Sequence, residues 1–134
     1  MKNLPTILLG LMLFSTPAFG FEDGDTSISA GGNAEAGRVV YQKCRACHNL
    51  QGNFAPRLGP NLDNIFGRMA GTSNNYTRYS KALRDSGIVW SEKELDNWLS
   101  DPNNYLPGNK MPFAGLRAEQ DRADLIAYLR AATE

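Results

Sequence analysis

At 134 residues, with 42% apolar and 21% charged side chains, the chain has the length of one domain and the composition of an ordinary globular protein, which excludes the fibrous and disordered classes. Its 14 basic and 14 acidic residues cancel, so the dominant basic surface that nucleic-acid binding requires is missing.

The first twenty residues read as an export signal. Lys2 supplies the positive start, Ile7 to Phe14 ("ILLGLMLF") the apolar stretch, and Ala18 to Gly20 ("AFG") a small-x-small cleavage site. The apolar run is well short of the roughly 20 residues of a spanning helix, and Pro5 and Pro17 interrupt it. The expectation is therefore a signal peptide over 1–20, cleaved after Gly20, and a periplasmic product that is not a transmembrane protein. Loss of Lys2 takes one from the 14 basic residues against 14 acidic ones, a formal charge of −1. Residues 21–32 ("FEDGDTSISAGG") are polar, Gly-rich and without period, the composition of a flexible leader. The folded domain is then 33–134, and export places its two cysteines where a disulfide can persist.

No alternating strand pattern is present and several segments carry helical spacing, so the fold class is all-α. A first helix starts at the Asn33 N-cap, with Glu35 favourably placed in its first turn, and runs to about Cys47, aligning Val40, Cys44 and Cys47 on one face. A turn of helix is expected in "NLDNIFG", ending at Gly67, and another in "YSKALRDSG", ending at Gly87. "WSEKEL" is the clearest start signal: Ser91 and Glu94 form a capping box, with Trp90 and Leu95 as its hydrophobic staple. That helix ends by Pro102 at the latest. The last helix, about Glu119 to Ala131, presents Leu125, Tyr128, Leu129 and Ala132 on one face. The connections are long and rich in Gly, Pro and Asn. Helices this few and short enclose a thin core, which implies that something else fills the middle.

The filler is indicated by Cys44-Arg45-Ala46-Cys47-His48, which holds both cysteines and the only histidine. C-x-x-C-H is the attachment signature of c-type haem. On a helical coil, residues three and four apart share a face, so both thiols reach two vinyl groups of one porphyrin while His48 sits beneath the iron. Competing readings are weaker. Zinc wants about four ligands and the chain offers three soft ones. A redox dithiol wants a βαβ context, and a disulfide between residues three apart closes a loop too small to stabilise much. A catalytic Cys–His pair is brought together by a fold rather than by adjacency in sequence.

With one histidine, bis-histidine ligation is excluded, and after cleavage only Met69 and Met111 remain as methionines. Haem held by Met and His belongs to electron-carrying cytochromes with a raised potential. Met111 lies in "LPGNKMPFAGL", where Pro112 holds it extended. A methionine is more often a flexible core filler, but a stiff, Pro-flanked loop suits a positioned ligand. Met69, beside Gly67 and Arg68, is the lesser candidate.

"CRACH", "LGPNL" with "FGR", "GIVW", "NKMPFAGL" and "ADLIAYL", in that order over about a hundred residues, resemble the class I cytochromes c of the mitochondrial cytochrome c and bacterial cytochrome c2 type. The resemblance implies short helices and loops wrapped around one covalently bound haem c, with the N- and C-terminal helices crossing. Gly37 and Tyr41 match the places where that crossing meets Leu125 and Tyr128. Pro60 matches the residue whose carbonyl accepts the other ring N–H of the haem histidine. Arg68, Tyr79 and Trp90 match groups that bind the haem propionates, and Asn109 and Lys110 fall in the same neighbourhood. The implied function is single-electron carriage by a monomer between protein partners such as membrane cytochrome complexes, oxidases, reaction centres or dehydrogenases, without enzyme activity. The alternative is a haem protein whose labile Met111 opens the iron to ligands or peroxide. Three departures stand out. Trp98 occupies the place of a family tyrosine that bonds the ligand sulfur. Asn103 and Asn104 replace usual lysines, leaving Lys43, Arg45, Arg57, Lys110 and Arg117 as a thinner basic set. Ala118 replaces a usual threonine cap.

Overall fold

The computed structural model describes residues 31–134, so the export signal and nearly all of the leader lie outside the described residues. Asn33 caps helix α1 (Ala34–Val40) by accepting from the Glu35 and Ala36 amides at 2.9 and 3.1 Å. The α-helix is shorter than its sequence suggests. After Val40 it tightens into a 3₁₀ turn, Tyr41–Lys43, in which the Cys44 amide donates to the Tyr41 carbonyl at 2.8 Å. Coiling then continues through amides of Arg45 to Tyr41 (3.1 Å) and His48 to Cys44 (3.0 Å), so the two cysteines and the histidine still share one turn.

"NLDNIFG" forms no helix. Asn64 is left-handed (φ 47°), which breaks a right-handed run, and its amide donates to the Thr133 carbonyl at the far end of the chain (2.7 Å). Helix α2 (Lys81–Asp85) is capped by Ser80. In α3 (Glu92–Ser100) the Ser91 hydroxyl accepts from the Glu94 amide at 3.1 Å, while the Glu94 carboxylate accepts from the Tyr105 hydroxyl instead of closing the box. The helix stops before Pro102, as its sequence requires. Pro102 then opens a further short helix, α4 (Pro102–Tyr105), with Asp101 as its cap. Asp followed by Pro at the first helical position is a local start signal that the sequence reading passed over.

The last helix, α5 (Glu119–Thr133), crosses α1 at close range. A Cβ on Gly37 would collide with the Asp124 carbonyl and lie 2.7 Å from the Tyr128 Cβ. The Asp124 carboxylate accepts from the Asn33 amide at 2.6 Å, and the Tyr41 and Tyr128 rings meet with centroids 5.6 Å apart. Behind this crossing lies a buried cluster that includes Ile65, Trp90, Leu95, Trp98, Leu99, Leu116, Leu125 and Leu129. Segments 67–70 and 88–90 run antiparallel through one bridge, Met69 to Val89, flanked by bonds from Trp90 N–H to the Arg68 carbonyl (3.0 Å) and Gly67 N–H to the Trp90 carbonyl (2.8 Å). Alternation along this pair leaves Met69 and Val89 outside and turns Arg68, Ala70 and Trp90 inward.

Two consequences are measurable by denaturant unfolding. Gly37→Ala, which helix propensity alone would reward by ~1 kcal/mol, is expected to destabilise by about 2 kcal/mol through the collision with α5. Ala118 sits in extended geometry with no side-chain cap, so Ala118→Ser should stabilise by about 1 kcal/mol.

Candidate functional site

Between the C-x-x-C-H coil, the 67–70 and 88–90 pair, α3 and the loop after α4 lies a cavity of about 230 Å³ lined mostly by apolar side chains. The lining is thus built for a large apolar body, and its chemistry identifies which kind.

Cys44, Cys47 and His48 all line this cavity. His48 Nδ1 lies 2.7 Å from the Pro60 carbonyl. A carbonyl only accepts, so Nδ1 carries the proton and Nε2 keeps a free lone pair, the form a metal-binding imidazole needs. Burial pushes the His48 pKa below the ordinary imidazole value, against a smaller opposing effect of the Pro60 bond, which keeps the ring neutral. Burial likewise pushes the Cys44 thiol up to about 11, opposed by Lys43 and aided by Cys47, so it is no reactive thiolate in the free chain.

The loop beneath the imidazole is held by contacts that sequence reasoning missed. A Cβ at Gly59 would lie 2.8 Å from His48 Nδ1 and 2.9 Å from Nε2, so glycine is what lets the backbone pass the ring. Its amide donates to the Cys47 carbonyl at 2.8 Å. Asn61, 1% exposed, donates to the Phe54 carbonyl (2.7 Å) and accepts from the Asn49 amide group (3.0 Å), which in turn accepts from Arg57 (2.7 Å). Tyr41 adds a second task to its packing, donating its hydroxyl to the His48 carbonyl at 2.8 Å. The "LGPNL" stretch carried Gly59 and Asn61 in plain view.

Arg68, Tyr79, Trp90 and Asn109 also reach the cavity wall, by different means. Arg68 donates to the Asp63 and Asn61 carbonyls (2.5 and 2.9 Å) and has further N–H groups to spare. The Tyr79 hydroxyl accepts from the Ser73 amide at 3.3 Å, which leaves its own proton to donate. Trp90 packs edge-on against Trp98, centroids 5.6 Å apart, and Trp98 in turn against Tyr105 at 6.3 Å. Asn109 spends its side chain on the chain itself: its amide donates to the Pro102 and Leu106 carbonyls (2.9 and 3.0 Å), and its oxygen accepts from the Met111 amide (2.9 Å). It shapes the Met111 loop from within.

Both methionines border the cavity. Met69 is 51% exposed, whereas Met111 is half-buried and packed against the core cluster. Two cysteines at attachment spacing, an oriented neutral imidazole, a half-buried thioether and a largely apolar lining together fit a covalently held haem. Among the described residues no cluster of His, Cys, Asp and Glu could hold a metal by itself.

The family model for cytochrome c matches residues 34–133. A cytochrome c of Theileria parva is 45% identical over 109 residues, covering 81% of this chain and 93% of its own length. A cytochrome c of Gossypium barbadense is 44% identical over 103 residues, covering 76% and 92%. Among solved structures, cytochrome cH from Methylobacterium extorquens is similar with a TM-score of 0.68 at 39% identity, over 75% of this chain and 99% of that one.

The contact at Gly59 can be tested against a glycine with no neighbour. Gly59→Ala should lower unfolding stability by about 1 to 3 kcal/mol, while Gly31→Ala, where an added Cβ meets nothing within 4 Å, should leave it unchanged.

Proposed function

The chain belongs to the cytochrome c family and so carries a covalently attached haem c, with Cys44 and Cys47 at the attachment position; from that premise we propose that it is a soluble, periplasmic, single-haem carrier whose iron is held between His48 and Met111. The family's work is electron carriage between redox partner proteins. Bound haem supplies a one-electron couple, ferric to ferrous iron. The observation that carries the ligand assignment is that His48, with Nδ1 occupied by Pro60, and the half-buried Met111 line the same cavity as both cysteines.

The remaining roles divide by what each side chain has left to give. Pro60 fixes the ring and tautomer of His48. The spare N–H groups of Arg68, the free hydroxyl proton of Tyr79 and the indole of Trp90 are the donors for the propionates. Asn109 acts on the haem through the Met111 loop. With His48 and Met111 both holding it, a bound haem would offer no free position to a substrate, which supports carriage rather than catalysis. The largely apolar lining would favour the less charged, reduced form of a bound haem and so raise its potential.

Residues 1–20 act as the export signal and 21–32 as a leader ahead of the domain. Among the described residues no helix is long and apolar enough to cross a membrane. The partners are membrane cytochrome complexes, oxidases, reaction centres or dehydrogenases, met by a monomer. A second reading, a labile Met111 with ligand binding or peroxide turnover, draws on Trp98. That ring lines the cavity packed between Trp90 and Tyr105 and brings no hydroxyl to the sulfur.

The test is a pair of holoprotein variants. Met111→Ala should keep the covalent haem, gain carbon monoxide binding in the ferrous state and lose reduction potential, since the thioether that favours ferrous iron is gone. Met69→Ala should do neither. Carbon monoxide binding in the Met69 variant alone would reverse the assignment, and ready binding by wild type would favour the second reading.

A further inference from the structure

The loop that presents Met111 runs from the end of α4 at Tyr105 to the start of α5 at Glu119, and it is tied down at two places. Its first half is held by Asn109, as described. Between Met111 and Leu116 the only backbone bond among the described residues is from Phe113 N–H to the Met111 carbonyl (2.9 Å), so the second half depends on its far anchor. There the Leu116 amide donates to the Leu99 carbonyl at 2.7 Å, Leu116 is 4% exposed, and a Cβ on Gly115 would collide with the Ser100 carbonyl.

One side chain gathers this anchor together. Arg122, in the first turns of α5, donates from one guanidinium nitrogen to the Leu116 and Arg117 carbonyls (3.0 and 3.1 Å) and from Nε to the Asp96 carboxylate of α3 (2.6 Å). The Arg122 side chain is 12% exposed and that of Asp96 41%, unlike the surface pairs Glu35–Arg38 and Glu92–Arg130, whose side chains are all 44% exposed or more. A guanidinium with rigid, forked donors satisfies two loop carbonyls and a carboxylate together, which a lysine cannot. Because the Arg122 side is largely buried, its charge-assisted bonds contribute more than those of a pair exposed on both sides.

We propose that the Asp96–Arg122 pair is a clamp on the closed end of the Met111 loop, setting how readily Met111 leaves the iron and an external ligand takes its place. Both residues are positioning residues, acting through the loop without touching the haem. The inference rests on Met111 being the ligand. It deepens that reading by naming what holds the ligand in place from outside the cavity. Asp96 and Arg122 lie on separate helices, so losing either partner frees the loop end without removing any group that lines the cavity.

The experiment is imidazole titration of the ferric holoprotein, read from the haem spectrum, alongside amide hydrogen exchange. Asp96→Ala should bind imidazole about tenfold more tightly than wild type, the scale of one charge-assisted hydrogen bond. The Leu116 amide should lose protection while the Leu125 and Leu129 amides of α5 keep theirs, which a general loosening of the fold would not produce. Glu92→Ala, which breaks an exposed pair on the same two helices, should leave the affinity unchanged. If Asp96→Ala yields too little holoprotein, Asp96→Asn keeps the acceptor without the charge and should show a smaller increase, about threefold. Affinity equal to wild type in the variant measured overturns the clamp, whatever happens to overall stability. Wild type binding imidazole as tightly as Met111→Ala overturns the ligand assignment itself, and the clamp with it.

Discussion

The bond between His48 Nδ1 and the Pro60 carbonyl is short, but much of the domain exists to make it possible. It fixes which ring nitrogen holds the proton and which way the ring faces, and a carbonyl can do this only if its loop is rigid. The rigidity comes from Asn61 and Asn49 tying the loop to itself, from Gly59 passing under the ring without a side chain, and from Tyr41 holding the His48 carbonyl. Tyr41 also packs against Tyr128, so the orientation of one imidazole is connected to the crossing of α1 and α5. Buried polar groups of this kind are effective only when all are satisfied, and none of the buried side-chain nitrogen or oxygen atoms among the described residues lacks a partner.

The two sides of the cavity are built differently. The histidine side is covalent coil and hydrogen-bonded loop, with its polar groups turned away from the cavity into their own backbone. The methionine side is a loop tied by Asn109, which reaches both α4 and the Met111 amide, and by Leu116 and Arg122 near α5. Local stability follows the density of such ties. A thioether is neutral and a weak hydrogen-bond acceptor, so the placement of Met111 depends on its loop more than does that of His48, whose ring Pro60 holds directly.

What the sequence made legible was whatever is decided within a few residues. The caps at Asn33 and Ser91 are each read out by amides two or three positions away. The spacing of Cys44, Cys47 and His48 is a property of one turn of coil, and Pro112 beside Met111 is local stiffness. Gly37 at the crossing was legible only through the family resemblance, since nothing nearby in sequence demands it. The misses have a common cause. "NLDNIFG" has helical spacing, yet Asn64 takes a left-handed conformation and gives its amide to Thr133. The first helix tightens after Val40 where Tyr41 turns to serve the His48 carbonyl. Glu94 leaves its capping box to meet Tyr105, and Arg122 finds Asp96 on another helix. In each case a partner remote in sequence outbids the local preference. The Asp101–Pro102 start of α4 is the exception, a local signal that was simply passed over.

The crossing of α1 and α5 also sets an order of events. Contacts between the first and last helices are the most non-local a chain can make, and none of them can form before α5 itself has been synthesised. Asn64 waits in the same way for the Thr133 carbonyl. During synthesis the coil carrying Cys44 and Cys47 therefore emerges well before α5, the helix that crosses the start of its own segment. For that interval Cys44 and Cys47 belong to a chain that still lacks the helix against which its first one packs.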